Sequence, residues 1–300
     1  MATAAEPRPA ELPLPGGREG ATVRLRPLLC AEMSAPPGFL ERAEGRMAPL
    51  KAMGVRVPRD EWTQIPVAAF LVEHPTAGAI LVDTGFHPAV AVDPKQGLGL
   101  TGVVFKDLRM DPGQAVAAQL REHKIDPASV KAVVMTHLHN LQASGIAEFP
   151  AATFVLSAQE WEAASNGRQT DGYIRRQFDH AFKYRTLDFE AAATDSFATF
   201  GRSLDLFGDG SVRVVFTPGH TLGHCSVVLR LKGREALLTG DAAYTMRTIN
   251  GSHLPFKMED EHLFKRSLRE IQLYLKGTPD ALVIPGHDME AWRRLAPVYE

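Results

Sequence analysis

Histidines and carboxylates at the ends of apolar segments are the residues here that could do chemistry. His137 and His139 stand two apart in "VVMTHLH". In an extended segment such positions point the same way, so both imidazoles can aim at one spot beyond the strand "AVVMT". His220 closes "VVFTPGH", Asp241 closes "ALLTGD" and His287 closes "ALVIPGH". In these three an apolar run meets a glycine and then a potential ligand, and glycine lets the backbone turn sharply without blocking a site. An HxH pair alone reads equally well as two hydrogen-bonded histidines. Five imidazole or carboxylate groups at such junctions are hard to explain as packing. They point to a metal pocket, histidine being the commonest metal ligand at neutral pH.

Elements of matching periodicity must position these groups. "IPVAAFLVEH" and "GAILVDTG", separated by "PTAG", predict a hairpin. "DPGQAVAAQLREHKI" turns helical, with Asp111 as N-cap, Pro112 in the first turn, and Val116, Ala117 and Leu120 on one face. "AVVMT" and "ATFVLS" read as buried strands, and a polar, helix-rich stretch runs from "AQEWEAAS" to about Phe189. The segment from Ser211 to Tyr244 predicts strand, loop, strand, turn, strand. "DEHLFKRSLREIQLYLK" is an amphipathic helix with Leu263, Leu268, Ile271 and Leu275 on its core face. "DALVIPGHD" is a last strand. This order suits two packed sheets with helices outside, an α/β architecture. "SAPPGFLERAEGRMAPLKAMGVRVP" predicts an irregular surface lobe, and "AVAVDPKQGLGLTGVVFKD" a segment able to cover a site.

Composition sets the bounds. The chain has 300 residues, 45% apolar and 23% charged, with a formal net charge of -2. That offers no electrostatic reason for nucleic acid or an anionic membrane as a partner. No run of about 18 apolar residues predicts a membrane span. Two cysteines, Cys30 and Cys225, are too few for a disulfide framework and read as buried apolar residues. The first 20 residues lack the apolar stretch of a secretory signal and read as a flexible leader, with 21–300 as a single domain. A cytoplasmic location is the expectation.

The pieces "ILVDTGFHP", "VVMTHLH", "TPGHTLGH", "TGDAAY" and "IPGHD", in that order, resemble the metallo-β-lactamase superfamily over about residues 65–290. The pair Asp241 and Tyr244 is similar to one in the N-acyl homoserine lactonases, which open the lactone rings of bacterial quorum signals. The resemblance implies an αββα four-layer sandwich and a metal-dependent hydrolase of lactones or esters. It places His137, His139 and His220 on a first metal, Asp241 as bridging carboxylate and His287 on a second metal. It gives Tyr244 the scissile carbonyl to polarise, since its hydroxyl can donate to a developing oxyanion. It also implies pairing of chains as a homodimer.

The sequence departs from the family's HxHxDH pattern. Leu141 stands at the aspartate and Gln142 at the second-metal histidine. Leucine cannot coordinate, and glutamine is a weak neutral ligand, so a second ion keeps only Asp241 and His287 where four ligands are usual. The expectation is one divalent ion, zinc by default and iron as the other choice. A catalytically weak ligand-binding homologue and a mononuclear-iron oxygenase are the competing readings.

Several smaller candidates complete the reading. Asp83 either orients the histidines from behind or caps a turn. His224 is expected to be structural, and His74, His87, His123, His180, His253 and His262 ordinary surface or packing residues. Asn140, Gln142 and Ser144 could hold a water where the second metal would sit.

Overall fold

The computed structural model describes residues 4–191 and 194–300. Among the described residues fourteen strands form two sheets. The first sheet contains β1 (Arg8–Pro9), β2 (Arg24–Ala35), β3 (Thr63–His74), β4 (Gly78–Val82), β5 (Lys106–Arg109), β6 (Ala132–Val134), β7 (Thr153–Ser157) and β8 (Lys183–Leu187). Their spatial order is β1-β8-β7-β6-β4-β3-β2-β5. The second contains β9 (Asp195–Phe197), β10 (Phe200–Asp205), β11 (Val212–Phe216), β12 (Cys225–Arg230), β13 (Glu235–Gly240) and β14 (Leu282–Pro285), in the order β14-β13-β12-β11-β10-β9.

Strand periodicity divides the core. In β4, Ile80 and Val82 face the space between the sheets while Leu81 points outward; in β6, Ala132 and Val134 face in and Val133 out. In β12, Val227 and Leu229 face in and Val228 out. The outward residues of the first sheet are covered by α1 (Val116–Glu122) and α2 (Ala158–Asn166), among others. Those of the second are covered by α3 (Glu261–Gly277), through Phe264, Leu268 and Ile271. The result is the expected αββα sandwich.

Strands β4, β6 and β7 are parallel neighbours, and β13 and β14 pair in parallel. The loops after β4, β6, β11, β13 and β14 open at one end of the sandwich. They carry Asp83, the 136–145 segment, His220, Asp241 and His287, so topology alone gathers the candidate groups.

Two local expectations are corrected. Asp111 precedes a 3-10 turn, Pro112–Gln114, and its N–H donates to Gln114 Oε1 at 2.8 Å; the α-helix begins only at Val116. The stretch to Phe189 is not uniformly helical: it holds β8, whose polar-apolar mix hides a strand that pairs with β7 and β1. Within residues 4–20 the backbone makes contacts with the body of the protein. Ala10 N–H donates to Thr186 O, Leu14 N–H to Leu206 O and Arg18 N–H to Asp209 Oδ2. His74 Nε2, buried beneath, lies 3.0 Å from the same Asp209 oxygen.

Cys30 and Cys225 are free and buried, and burial pushes the Cys30 thiol up to about 12, which suits packing rather than nucleophilic use. Among the described residues no helix is long and apolar enough to cross a membrane.

Candidate metal centre

Beyond β6 the chain bends at Thr136, His139 is extended, and the next residues form one helical turn, Asn140–Ala143. His137 and His139 thereby reach the mouth of the sandwich, where His220 meets them from the loop after β11. Candidate ligand atoms of the three lie within 4.8 Å of one another. His139 Nδ1 and His220 Nε2 are 2.9 Å apart, and all three residues are buried. Burial drives His137 and His139 well below the usual imidazole range and His220 down to about 4, so the rings are neutral at pH 7 with lone pairs free to coordinate.

Asp241 enters from β13 through Gly240. Gly240 has φ +52°, and a Cβ there would lie 2.7 Å from His224 Nε2, so only glycine allows this turn. Asp241 Oδ2 lies 3.2 Å from His220 Nε2, 3.2 Å from His287 Nε2 and 3.9 Å from His137 Nε2. Burial raises this carboxyl, but His287, His220 and His137 more than offset it and hold it well below the usual carboxylate range. His287 Nδ1 faces Pro66 O at 3.3 Å, leaving Nε2 toward Asp241.

A second circle of contacts fixes the imidazoles. Asp83, at φ +58°, accepts from Thr136 N–H and Thr136 Oγ1, both at 2.8 Å, and Thr136 Oγ1 lies 3.0 Å from His137 Nδ1. Of the two readings of Asp83, orientation of a histidine from behind is the one this geometry supports. His224, expected to be structural, accepts Asp241 N–H on Nε2 at 2.9 Å while Nδ1 faces Thr217 O at 3.1 Å. It therefore fixes the turn that presents Asp241.

Sequence reading missed Glu160. This fully buried residue accepts Leu138 N–H on one oxygen at 2.8 Å and the Thr221 hydroxyl on the other at 2.6 Å. It ties the HxH segment to the His220 loop. Gly223 makes room: a Cβ there would fall 1.9 Å from Glu160 N. The available signal was Ser157-x-x-Glu160 after a strand, a capping-box spacing. Ser157 Oγ does accept Glu160 N–H at 3.1 Å, but the glutamate side chain has been diverted to the site. Glu259 and Lys257 were missed too. Glu259 N–H donates to Gly219 O and His220 O, and Lys257 O lies 3.4 Å from His220 Nδ1.

His137 Nε2 is buried without a hydrogen-bond partner, an arrangement that costs free energy unless something satisfies it. With His139 and His220 converging on the same point, the donor set fits one divalent ion. At the neighbouring position it does not fit a second. Leu141 is 5% exposed and contributes only apolar surface, and Gln142 directs its Nε2 at Asp241 Oδ1, 3.4 Å away. Asn140 and Ser144 do not turn to that position either. The Asn140 amide donates to Gly97 O and Thr101 Oγ1, and Ser144 Oγ accepts His87 N–H.

A cavity of about 340 Å³ opens over Asp241. Its walls include Phe39, Met53, Leu100, Phe105, Leu141 and Phe256, so the 89–107 segment borders the cavity as expected, and the 34–58 lobe borders it too. Tyr244 borders it, with its hydroxyl 3.3 Å from His220 Nδ1. Lys257 stands at the rim, its Nζ 3.3 Å from Thr170 O.

Comparison with known proteins adds the following. The sequence profile described as the metallo-beta-lactamase superfamily matches residues 62–287. An N-acyl homoserine lactonase AttM of Agrobacterium fabrum is 36% identical over 233 residues, covering 76% of this chain and 84% of that protein. The protein of the same name from Azorhizobium caulinodans is 36% identical over 234 residues, with the same coverage of 76% and 84%. Among solved structures, an N-acyl homoserine lactone hydrolase with N-hexanoyl-L-homoserine, its product, at the catalytic metal center superposes with a TM-score of 0.73. It is 22% identical, and the match spans 93% of this chain and 100% of that one.

Proposed function

This chain belongs to the metallo-β-lactamase superfamily, and from that premise we propose that it is a metal-dependent hydrolase of lactones or related esters, working with a single divalent ion. The observation that carries the proposal is the convergence of three buried, neutral imidazoles on one point beside Asp241. His137, His139 and His220 would hold the ion, zinc by default, with Asp241 as fourth ligand or as partner of the attacking water. When bound, such an ion supplies Lewis-acid activation and brings the pKa of a water toward about 7.

The protein's own groups perform the rest. The apolar walls of the cavity receive an acyl chain and exclude bulk water, which strengthens every electrostatic contact inside. His220 keeps its proton on Nδ1, where Tyr244 Oη and Lys257 O lie within 3.3 and 3.4 Å. Accepting from that N–H leaves the tyrosine's own hydrogen free to donate to the oxygen of the scissile carbonyl as charge develops. Burial holds the Tyr244 hydroxyl well above its ordinary value, so it stays a donor. As water oxygen bonds to the carbonyl carbon, the bond to the ring oxygen breaks. The Asp241–His287 pair, 3.2 Å apart, carries the water's proton to that leaving oxygen, and the product is a hydroxy acid.

The test is hydrolysis of an N-acyl homoserine lactone and a simple γ-lactone by the purified chain. Turnover that a chelator abolishes and zinc restores supports the proposal. Absence of turnover on lactones and esters alike, in zinc-saturated protein, contradicts it.

A further inference from the structure

Gln142 occupies an unusual position in this pocket. Its backbone is fixed from both sides: its N–H donates to His139 O at 3.0 Å, and its carbonyl accepts from Thr84 N–H at 3.0 Å and the Thr84 hydroxyl at 2.6 Å. Its side chain is 8% exposed and borders the cavity. The amide nitrogen donates to Asp241 Oδ1, while Oε1 is buried with no partner among the described residues. Rotating the amide by half a turn gives no relief, because it would set Oε1 against the carboxylate, acceptor against acceptor.

A buried acceptor left unmade costs free energy, so an orphan of this kind calls for a partner that the protein itself does not supply. Nearby polar side chains have other duties, since Asn140 and Ser144 are engaged with Gly97, Thr101 and His87. What remains is a donor from the cavity. Asp241 makes the choice of donor specific: its Oδ2 faces His137, His220 and His287, and its Oδ1 faces Gln142. A water poised for attack beside Asp241 is therefore within the reach of the same amide.

We infer that Gln142 Oε1 accepts a hydrogen bond from the attacking water and so orients it, in the half of the pocket where Leu141 provides no polar group. This rests on the hydrolase reading above. Gln142 is a positioning residue: it takes no proton, and the water's proton leaves through Asp241 and His287 as already described. The amide holds one O–H so that a lone pair faces the carbonyl carbon.

Two variants and one structure test this. Gln142→Met keeps length and apolar volume but removes the acceptor. It is expected to lower kcat by about a hundredfold, the order associated with small misplacement of a reacting group, with KM and metal per chain unchanged. Gln142→Asn keeps an amide acceptor on a shorter arm and is expected to retain clearly more kcat than Gln142→Met. Independently of turnover, a crystal structure of the metal-loaded wild type should show a water within about 2.6–3.2 Å of Oε1, absent in Gln142→Met. Wild-type kcat in Gln142→Met, or metal content falling in step with kcat in both variants, overturns the inference. So does a dry Oε1 in the crystal. Failure of the hydrolase reading would instead appear in the wild type itself, as no metal or no turnover.

Discussion

The side of the pocket built by His137, His139 and His220 and the side built by Leu141, Gln142 and His287 share Asp241 but are held differently. On the first side the imidazoles are braced from behind. Asp83 works through Thr136, Glu160 joins Leu138 to Thr221, and Lys257 and Glu259 steady the His220 loop. On the second side stand a buried leucine and an amide with one unsatisfied oxygen, at the two positions where the resemblance implies a carboxylate and an imidazole. His287 Nε2 is directed at Asp241, with Pro66 O on its other nitrogen. The scaffold of buried acids that holds a ligand set costs desolvation free energy, seen in Asp83 and Glu160, each pushed up to about 7 by burial. The bracing lies on one side and the unsatisfied amide on the other, so the two halves of the pocket can be altered separately.

The comparison can be broken most forcefully at the first side. His220→Ala removes one of three imidazoles that no neighbour replaces. Metal content should fall to a small fraction per chain and hydrolysis by more than about a thousandfold, since a bound ion contributes several kcal/mol. Elemental analysis and kinetics on the same preparation check it; a variant that keeps its metal shows that the cluster is not the site.

Rebuilding the second side is the next largest effect. Leu141→Asp combined with Gln142→His restores the family pattern, and metal per chain should rise from about one to about two. A double variant that stays at one or none shows that the correspondence of positions is wrong.

Weakening the bracing should have a smaller effect. Glu160→Ala strips the acceptors from Leu138 N–H and the Thr221 hydroxyl without touching an imidazole. Metal affinity should fall by about 10- to 100-fold, as when groups supporting a ligand are removed. Competition with a chromogenic chelator measures it, and unchanged affinity removes Glu160 from the site.

The smallest effect lies far from the pocket, at the docked leader. Burial raises Asp209, but hydrogen bonds from Ser211, Arg18 N–H and His74 outweigh it and bring its carboxyl down to about 2. The folded value lies below the unfolded one, near 3.9, so this group's stabilisation is complete above about pH 4 and is lost as pH falls toward 2. Asp209→Asn should lower the melting temperature at pH 7 by about 2–4 °C and flatten its dependence across that acid window. Equal acid sensitivity in wild type and variant would show that Asp209 does not pin the leader.

Much of this was legible in the sequence. Strands β4, β6, β11, β13 and β14 announce themselves by apolar runs, and the groups that follow each run fall at one end of the sandwich because these strands run the same way within each sheet: β4 pairs in parallel with β6 and β13 with β14, and antiparallel β12 separates β11 from β13. The five candidate groups His137, His139, His220, Asp241 and His287 do come together. Less legible were contacts made by one side chain between distant loops. Glu160 looks like a helix-start residue, and only the fold reveals that it touches Leu138 and Thr221. Contacts of the leader are equally hard to read: its proline and glycine content resembles a free tail, while the N–H groups of Ala10, Leu14 and Arg18 donate to Thr186, Leu206 and Asp209, which composition does not report. The hidden strand β8 pairs through its backbone in the same way.

The most direct measurement is metal per chain in protein loaded with zinc and freed of excess. About one zinc, with His137, His139 and His220 intact, is the predicted result. About two in the unaltered chain, or none at saturating zinc, would contradict a pocket with one side kept for metal and the other given over to Leu141 and Gln142.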